Sequence, residues 1–241
     1  MAKNEFILAT FVLVAKWVRR SVTMIVVAAS TFAPVHAVAG DDPFKVYAVN
    51  IVKTTPFEKP FTGDGIYLGN GAVITAAHVI GRWGFLKNPH VLIAGQNLPA
   101  KIIKEGSIEQ TDVTLLSVDE SRIPDSLRLR RNPLCKQPSK IGDKVAIVAP
   151  EKTNYSQIIS PLLIPWQLRE RFSSLVSDVG GSGSGVFDAV KKCLLGIISR
   201  KVVKFDHLGG DEGIVALPSG FAGYFVPASE IALFIPPEFQ F

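Results

Sequence analysis

The chain has 241 residues and a formal net charge of +5. This length is enough for one large domain, or for two small ones that each bury a core. The first 37 residues hold one acid and four cations: Glu5, Lys3, Lys16, Arg19 and Arg20. The rest of the chain is therefore nearly neutral. It has no basic stripe interleaved with aromatic residues, which argues against a nucleic-acid-binding protein.

The N-terminal segment has the pattern of an export signal. A cationic stretch ending at Arg20 precedes an apolar run over residues 22–32, and two small-x-small sites end at Ala37 and Ala39. We expect residues 1–39 to be a signal peptide cleaved after Ala37 or Ala39, and the protein to be secreted or periplasmic. The stretch before Arg20 is apolar as well, so an N-terminal membrane anchor is the alternative. Contact with a membrane is expected only if this segment is retained.

Short runs rich in valine and isoleucine predict strands in the first half of the remaining chain. A buried strand is predicted from Phe44 onward. A hairpin is predicted over residues 62–75, because apolar runs flank Gly69-Asn70-Gly71. Three further strands are predicted over residues 91–93, 99–104 and 113–118. Residues 119–140 are polar and contain proline, and they predict a linker on the surface.

The second half of the chain is also predicted to consist mainly of short strands. Strands are predicted over the ranges 144–148, 157–164, 185–188, 193–203 and 220–226. Residues 228–234 carry apolar side chains at helical spacing, and Pro236-Pro237 follows them, so we predict a short terminal helix. Two groups of evenly spaced short strands predict two β-barrels or sandwiches.

The two cysteines, Cys135 and Cys193, lack metal-ligand spacing and have no His/Cys cluster beside them. In a reducing compartment they would be two buried thiols. In an exported protein they could form one disulfide, Cys135–Cys193.

Three motifs carry the residue types of nucleophilic catalysis. Thr75-Ala76-Ala77-His78 follows the predicted hairpin, and Asp112 directly precedes a predicted strand. The third motif is the loop Val179-Gly180-Gly181-Ser182-Gly183-Ser184-Gly185. A flexible linker is the alternative for this loop, but it is short and apolar residues bound it on both sides. Its glycines allow a tight turn and the close approach of a substrate carbonyl.

Together, and in the order His78, Asp112, Ser182, these motifs resemble the signature segments of trypsin-like (chymotrypsin-fold) serine proteases, in their compact bacterial form. The resemblance extends from about residue 44 to residue 234. It implies an all-β fold of two six-stranded antiparallel β-barrels with a short C-terminal helix, with the first barrel in residues 40–134 and the second in residues 135–241.

The resemblance also implies a function and a role for each residue. The protein would be a serine endopeptidase that acts on protein or peptide substrates through an acyl-enzyme, with no metal or organic cofactor. His78 would be the general base, Asp112 would orient it, and Ser182 would be the nucleophile. The amides of Gly180 and Ser182 would form the oxyanion hole.

Two residues compete for these roles. Asp119 is a rival to Asp112, but Asp112 directly precedes the apolar strand, as in the family pattern. Ser184 is the rival nucleophile. The family pattern Gly-x-Ser-Gly fits Ser182 because Gly180 lies two residues before it, whereas centring on Ser184 puts a serine at that position.

The resemblance places Val176, Ser177 and Ser199 in the substrate pocket. Trypsin-like members carry an aspartate at the Val176 position, so its absence argues against arginine or lysine specificity, and we expect a small or apolar side chain before the scissile bond. Gly181 stands where animal digestive members carry the aspartate that receives the new N-terminus on zymogen cleavage. We therefore expect no activation of that kind.

Two other functional classes remain open. One is a catalytically silent protease fold that serves as a binding module, which the presence of His78, Asp112 and Ser182 argues against. The other is a membrane-anchored periplasmic protease, if the leader is retained. The N-terminal sequence of the mature protein distinguishes the second class from a secreted enzyme.

Overall fold

The computed structural model describes five stretches of the chain: residues 42–55, 58–81, 88–178, 180–203 and 221–239. All of them belong to the unit Asp41–Phe241. The predicted leader, residues 1–39, lies outside the described residues. Within the described stretches, twelve strands form two closed six-stranded antiparallel barrels. The predicted fold class is therefore confirmed.

Six strands form the first barrel, in the order β1-β2-β3-β6-β5-β4 around it. They are β1 (Ala48–Thr55), β2 (Glu58–Gly69), β3 (Ala72–Thr75), β4 (Asn88–Ile93), β5 (Gln96–Glu105) and β6 (Thr114–Val118). Their inward side chains, among them Ile51, Tyr67 and Leu116, are fully buried. The first strand begins later than predicted, because Lys45–Tyr47 forms a 3₁₀ turn before it.

The predicted hairpin over residues 62–75 is present as β2 and β3. Its turn residues Gly69, Asn70 and Gly71 have φ angles of +119°, +51° and +72°. These values lie in the left-handed region, which glycine and asparagine tolerate best. A Cβ atom on Gly71 would also lie 2.5 Å from the carbonyl oxygen of Val118. The tight turn therefore depends on its Gly-Asn-Gly sequence.

The second barrel follows the order β10-β11-β12-β9-β8-β7. Its strands are β7 (Lys144–Val148), β8 (Thr153–Ile159), β9 (Leu175–Val176), β10 (Gly185–Asp188), β11 (Leu194–Val203) and β12 (Phe221–Pro227). The strand predicted over 157–164 instead ends at Ile159. Ser160 caps a 3₁₀ turn there, and Pro161 has no N–H to continue the ladder. The two-residue strand β9 was not predicted, since two residues carry no periodicity.

The described helices are short: α1 (Ala77–Ile80), α2 (Asp125–Arg128), α3 (Trp166–Arg169) and α4 (Ala228–Phe234). The predicted terminal helix is confirmed as α4, which buries Ala228 and Ile231 and leaves Leu233 exposed. None of the helices in the described ranges has the length and apolar character needed to cross a membrane.

A shared apolar core joins the two barrels. First-barrel residues such as Ile66 and Leu115 pack in the same cluster as the second-barrel residues Phe187 and Val226. The ring of Phe187 lies 5.1 Å from that of Phe44, centroid to centroid. Phe187 belongs to β10, the strand that directly follows the Gly/Ser loop. The loop therefore leads directly into a second-barrel strand that packs in the shared core.

Cys135 and Cys193 lie at disulfide distance, with their sulfur atoms 1.90 Å apart and their Cα atoms 5.1 Å apart. The pair links the segment between the barrels to the start of β11. The backbone reinforces this link, because the Cys135 N–H donates to the Leu194 carbonyl at 2.9 Å.

Reduction of this pair should lower the free energy of unfolding by about 4 kcal/mol, because the bridge closes a long loop and restricts the unfolded chain. Urea unfolding with and without a reductant measures the change. A Cys135→Ser, Cys193→Ser double variant is the control, since reductant should not affect it further. Two free thiols on the folded, unreduced protein would contradict the pairing.

Candidate active site

His78 and Asp112 meet because two adjacent strands deliver them to the same end of the first barrel. β3 and β6 are antiparallel partners, with Thr75 opposite Thr114. His78 lies three residues beyond Thr75, in the short helix α1, and Asp112 lies two residues before Thr114. The strand pairing therefore brings together two residues that are 34 positions apart.

Both carboxylate oxygens of Asp112 hold His78. Oδ2 lies 2.7 Å from the ring Nδ1, and Oδ1 accepts the backbone N–H of His78 at 3.0 Å. Asp112 is 3% exposed, whereas the His78 side chain is 28% exposed. Since a carboxylate only accepts, Nδ1 must carry the proton and Nε2 is left as the basic nitrogen.

Ser199 supplies a third hydrogen bond to Asp112. Its hydroxyl donates to Oδ2 at 2.5 Å, and its side chain is buried. Ser199 belongs to β11, so Asp112 is held from the second barrel as well as the first. Sequence reasoning assigned Ser199 to the substrate pocket and missed this contact, since nothing local in the sequence connects residues 87 positions apart.

These contacts determine the charge state of Asp112. Burial by itself would raise the pKa of its carboxyl group. Hydrogen bonds from the His78 ring, the Ser199 hydroxyl and the His78 amide outweigh burial, so the pKa of Asp112 lies below its ordinary value. The group is therefore an ionised acceptor at neutral pH.

Ser182 lies in a turn and is half-buried. Its carbonyl accepts the N–H of Asp64 at 3.0 Å, and the next residue, Gly183, has a φ of +92°. In the part of the chain that the structure describes, no hydrogen bond joins the Ser182 hydroxyl to His78. The amides of Gly180 and Ser182 likewise donate to no group among the described residues. The assignment of these two N–H groups to the oxyanion hole stays a prediction.

The rival serine is in a different environment. Ser184 is fully buried, and its hydroxyl donates to Oδ2 of Asp64 at 2.5 Å. The rival aspartate, Asp119, has a different role: it caps an exposed 3₁₀ turn and accepts the N–H of Ser121 at 3.0 Å. His78 thus contacts Asp112, and Ser182 is the more accessible of the two serines.

The three residues predicted for the substrate pocket are buried or half-buried. Val176 is fully buried in the core of the second barrel. The Ser177 hydroxyl is half-buried and lies 2.9 Å from that of Ser156. The Ser199 hydroxyl is occupied by Asp112. The part of these three residues in substrate recognition stays a prediction.

A cavity of about 220 Å³ opens beside His78, lined by Ala77, Gly81 and residues 105–109. Two arginines of the second barrel reach this wall, since Arg200 and Arg171 both donate to the Ile108 carbonyl. Both guanidinium groups also lie 5.5 Å from the ring centroid of Phe172. A larger cavity of about 480 Å³ adjoins Cys135 and α4 and contains none of the predicted site residues.

Among the described residues, no group of three or more His, Cys, Asp or Glu side chains is arranged to hold a metal ion.

No protein-family model matches the chain, and no curated protein matches it by sequence. Solved structures match it by shape. The active form of the Rv3671c protease from M. tuberculosis has a TM-score of 0.52 and 17% identity, over 79% of this chain and 80% of the other. The MamO protease domain from Magnetospirillum magneticum has a TM-score of 0.51 and 17% identity, over 80% and 97%. The chain has the chymotrypsin fold.

Kallikrein-related peptidase 10 is similar at a TM-score of 0.50 and 14% identity, over 78% of this chain and 92% of that one. The structural neighbours with the chymotrypsin fold thus include proteases from bacteria and a kallikrein-related peptidase. In this fold the predicted His78 and Asp112 come from the first barrel and Ser182 comes from the second.

Proposed function

We propose that the protein is a serine endopeptidase that uses His78, Asp112 and Ser182 to hydrolyse peptide bonds. The observation that carries the proposal is the His78–Asp112 pair, in which a buried carboxylate accepts both the ring and the backbone N–H of one histidine. This arrangement leaves Nε2 free to accept a proton. The proteases among the structural neighbours support the same reaction class.

The reaction begins when the Ser182 hydroxyl attacks the scissile carbonyl carbon and Nε2 of His78 takes the hydroxyl proton. The ionised Asp112 stabilises the imidazolium that forms. The carbonyl oxygen becomes an oxyanion, and the N–H groups of Gly180 and Ser182 are the donors proposed to hold it.

The tetrahedral intermediate then collapses. The C–N bond breaks, His78 returns its proton to the leaving amine, and an ester joins the substrate to Ser182. A water molecule then attacks the ester carbonyl carbon while His78 takes a proton from it. The C–O bond to Ser182 breaks, His78 returns the proton to the Ser182 oxygen, and the carboxylic acid product leaves. No oxidant, metal or organic cofactor takes part in these steps.

Export and substrate preference are further parts of the proposal. We place the enzyme outside the cytoplasm, after cleavage of the leader behind Ala37 or Ala39, and the close approach of Cys135 and Cys193 supports an oxidising compartment. An N-terminal membrane anchor would instead keep the same enzyme on the membrane. We propose a preference for a small or apolar side chain before the scissile bond, which a peptide library would measure.

Labelling with a fluorophosphonate probe tests the proposed chemistry, because the probe reacts with an activated serine. The folded protein should be labelled at Ser182 alone, as located by peptide mass mapping, and protein unfolded in urea should not be labelled. Labelling at Ser184 would overturn the assignment of the nucleophile. If well-folded protein is not labelled at all, the endopeptidase proposal fails and a silent binding module takes its place.

A further inference from the structure

Asp64 lies on β2 of the first barrel and touches the Gly/Ser loop of the second barrel with both its backbone and its side chain. Its N–H donates to the Ser182 carbonyl at 3.0 Å. Its carboxylate oxygen Oδ2 accepts the buried Ser184 hydroxyl at 2.5 Å. The contacts fall on either side of Gly183, whose φ of +92° lies in the left-handed region that favours glycine.

A further hydrogen bond, from β3, fixes the backbone of Asp64. Its carbonyl accepts the hydroxyl of Thr75, a fully buried residue at the end of β3, at 2.6 Å. Thr75 is three residues before His78. The strand end that precedes the predicted base and the loop that carries the predicted nucleophile therefore meet at one residue.

The loop sequence fits this contact closely. A Cβ atom on Gly181 would lie 2.5 Å from Oδ2 of Asp64, and one on Gly183 would overlap the Asp64 carbonyl. The carboxylate of Asp64 thus occupies the space into which a side chain at position 181 would project. Glycine at both positions allows the first barrel to approach the loop.

Ser184 is the group that satisfies the Asp64 carboxylate. Among the described residues, no cation forms an ion pair with Asp64. The pKa of the Asp64 carboxyl group lies above its ordinary value, chiefly because burial raises it. The hydrogen bond from Ser184 opposes this shift, and the negative charge of Glu151 adds to it. Removing either partner would leave a polar group in a poorly hydrated position, and the loop would lose its support.

We propose that Asp64 is a positioning residue that holds the Ser182 loop, residues 180–184, in the arrangement needed for peptide hydrolysis. This inference rests on the proposed function. The Asp64 carboxylate holds Ser184, whose N–H donates to the Gly181 carbonyl at 3.1 Å. That carbonyl belongs to the peptide group that carries the Ser182 N–H, one of the two donors proposed to bind the oxyanion. An oxyanion forms only as the reaction proceeds, so loss of Asp64 should lower kcat and change KM little.

The test compares Asp64→Ala, Asp64→Asn and Ser184→Ala with the wild-type protein. Asp119→Ala is the matched control, because Asp119 also accepts a serine hydroxyl but lies on an exposed turn. The measurements are kcat and KM on a peptide substrate, the fluorophosphonate labelling rate, the urea midpoint, and hydrogen exchange at the amides of Gly183 and Ser184. Both amides are hydrogen-bonded within the chain, so their exchange reports the order of the loop.

For Asp64→Ala we expect kcat and the labelling rate to fall roughly 10- to 100-fold, with KM nearly unchanged. Asparagine can still accept the Ser184 hydroxyl, so Asp64→Asn should recover most of the rate. Ser184→Ala should resemble Asp64→Ala, and the double variant should be little worse than either single one, because the two residues form one contact. Asp119→Ala should match the wild type.

If Asp64→Ala keeps the wild-type kcat and labelling rate and only lowers the urea midpoint, Asp64 is merely structural and the inference is overturned. If Asp64→Ala does not fold, Asp64→Asn and Ser184→Ala decide in its place: wild-type rates in Ser184→Ala overturn the inference. If the wild type itself is neither labelled nor active, the proposed function has failed. The exchange rates then decide separately whether Asp64 orders the loop, since unchanged protection in the variants would refute that too.

Discussion

Replacing Ser182 by alanine is expected to lower kcat by about 10⁶-fold and to leave the free energy of unfolding nearly unchanged. The activity falls because the nucleophile is gone and no acyl-enzyme can form. The stability stays because the Ser182 side chain is half-buried and the contact that holds the residue uses its backbone carbonyl. Peptide hydrolysis and urea unfolding measure the two quantities on the same samples.

Two serine variants serve as comparisons for Ser182→Ala. Ser173→Ala changes an exposed serine outside the loop and should keep full activity. Ser184→Ala should lose far less activity than Ser182→Ala, since the Ser184 hydroxyl is occupied by Asp64. The assignment of the nucleophile would be wrong if Ser182→Ala kept more activity than Ser184→Ala.

Replacing Asp112 by asparagine should lower kcat by roughly 10⁴-fold with the fold retained. An asparagine side chain keeps the shape of the carboxylate but presents an amide N–H where His78 and Ser199 need an acceptor. The ring would then turn or change its protonated nitrogen, so Nε2 would no longer be the basic atom. The substitution would also remove the negative charge that stabilises the imidazolium.

The same variant should change the dependence of stability on pH. The pKa of Asp112 is lower in the folded protein than in the unfolded chain, so its contribution to stability is complete above the unfolded value of about 3.9 and is lost as the pH falls through the folded value. Asp112→Asn lacks this contribution. Its free energy of unfolding should therefore vary less than that of the wild type below about pH 4.

Urea unfolding at a series of pH values from neutral to acid measures this difference, and peptide hydrolysis at neutral pH measures kcat. Asp125→Asn is the control, because Asp125 is an exposed acid that pairs with Arg128 on the surface. It should keep full activity. Wild-type kcat in Asp112→Asn would show that the carboxylate does not act on His78 as proposed.

Much of the fold could be predicted from the sequence because the signals are local. The hairpin depends on Gly69-Asn70-Gly71, and the terminal helix depends on apolar spacing and a following proline pair. The strand ends that precede His78 and follow Asp112 could be read in the same way. Two groups of evenly spaced short strands predicted two β-barrels or sandwiches, and the resemblance to trypsin-like serine proteases implied the barrels.

The contacts around the candidate site were decided only by the tertiary structure. Ser199 reaches Asp112 across 87 positions of sequence, and Ser184 reaches Asp64 across 120. The family resemblance placed Ser199 near the substrate, and no motif in the sequence singled out Asp64. These pairs form when two barrels pack on a shared core, and the free energy of that packing depends on many residues far apart in the chain. The sequence therefore singled out the residues that are proposed to carry the chemistry, and the packing of the two barrels decided which groups hold them in place.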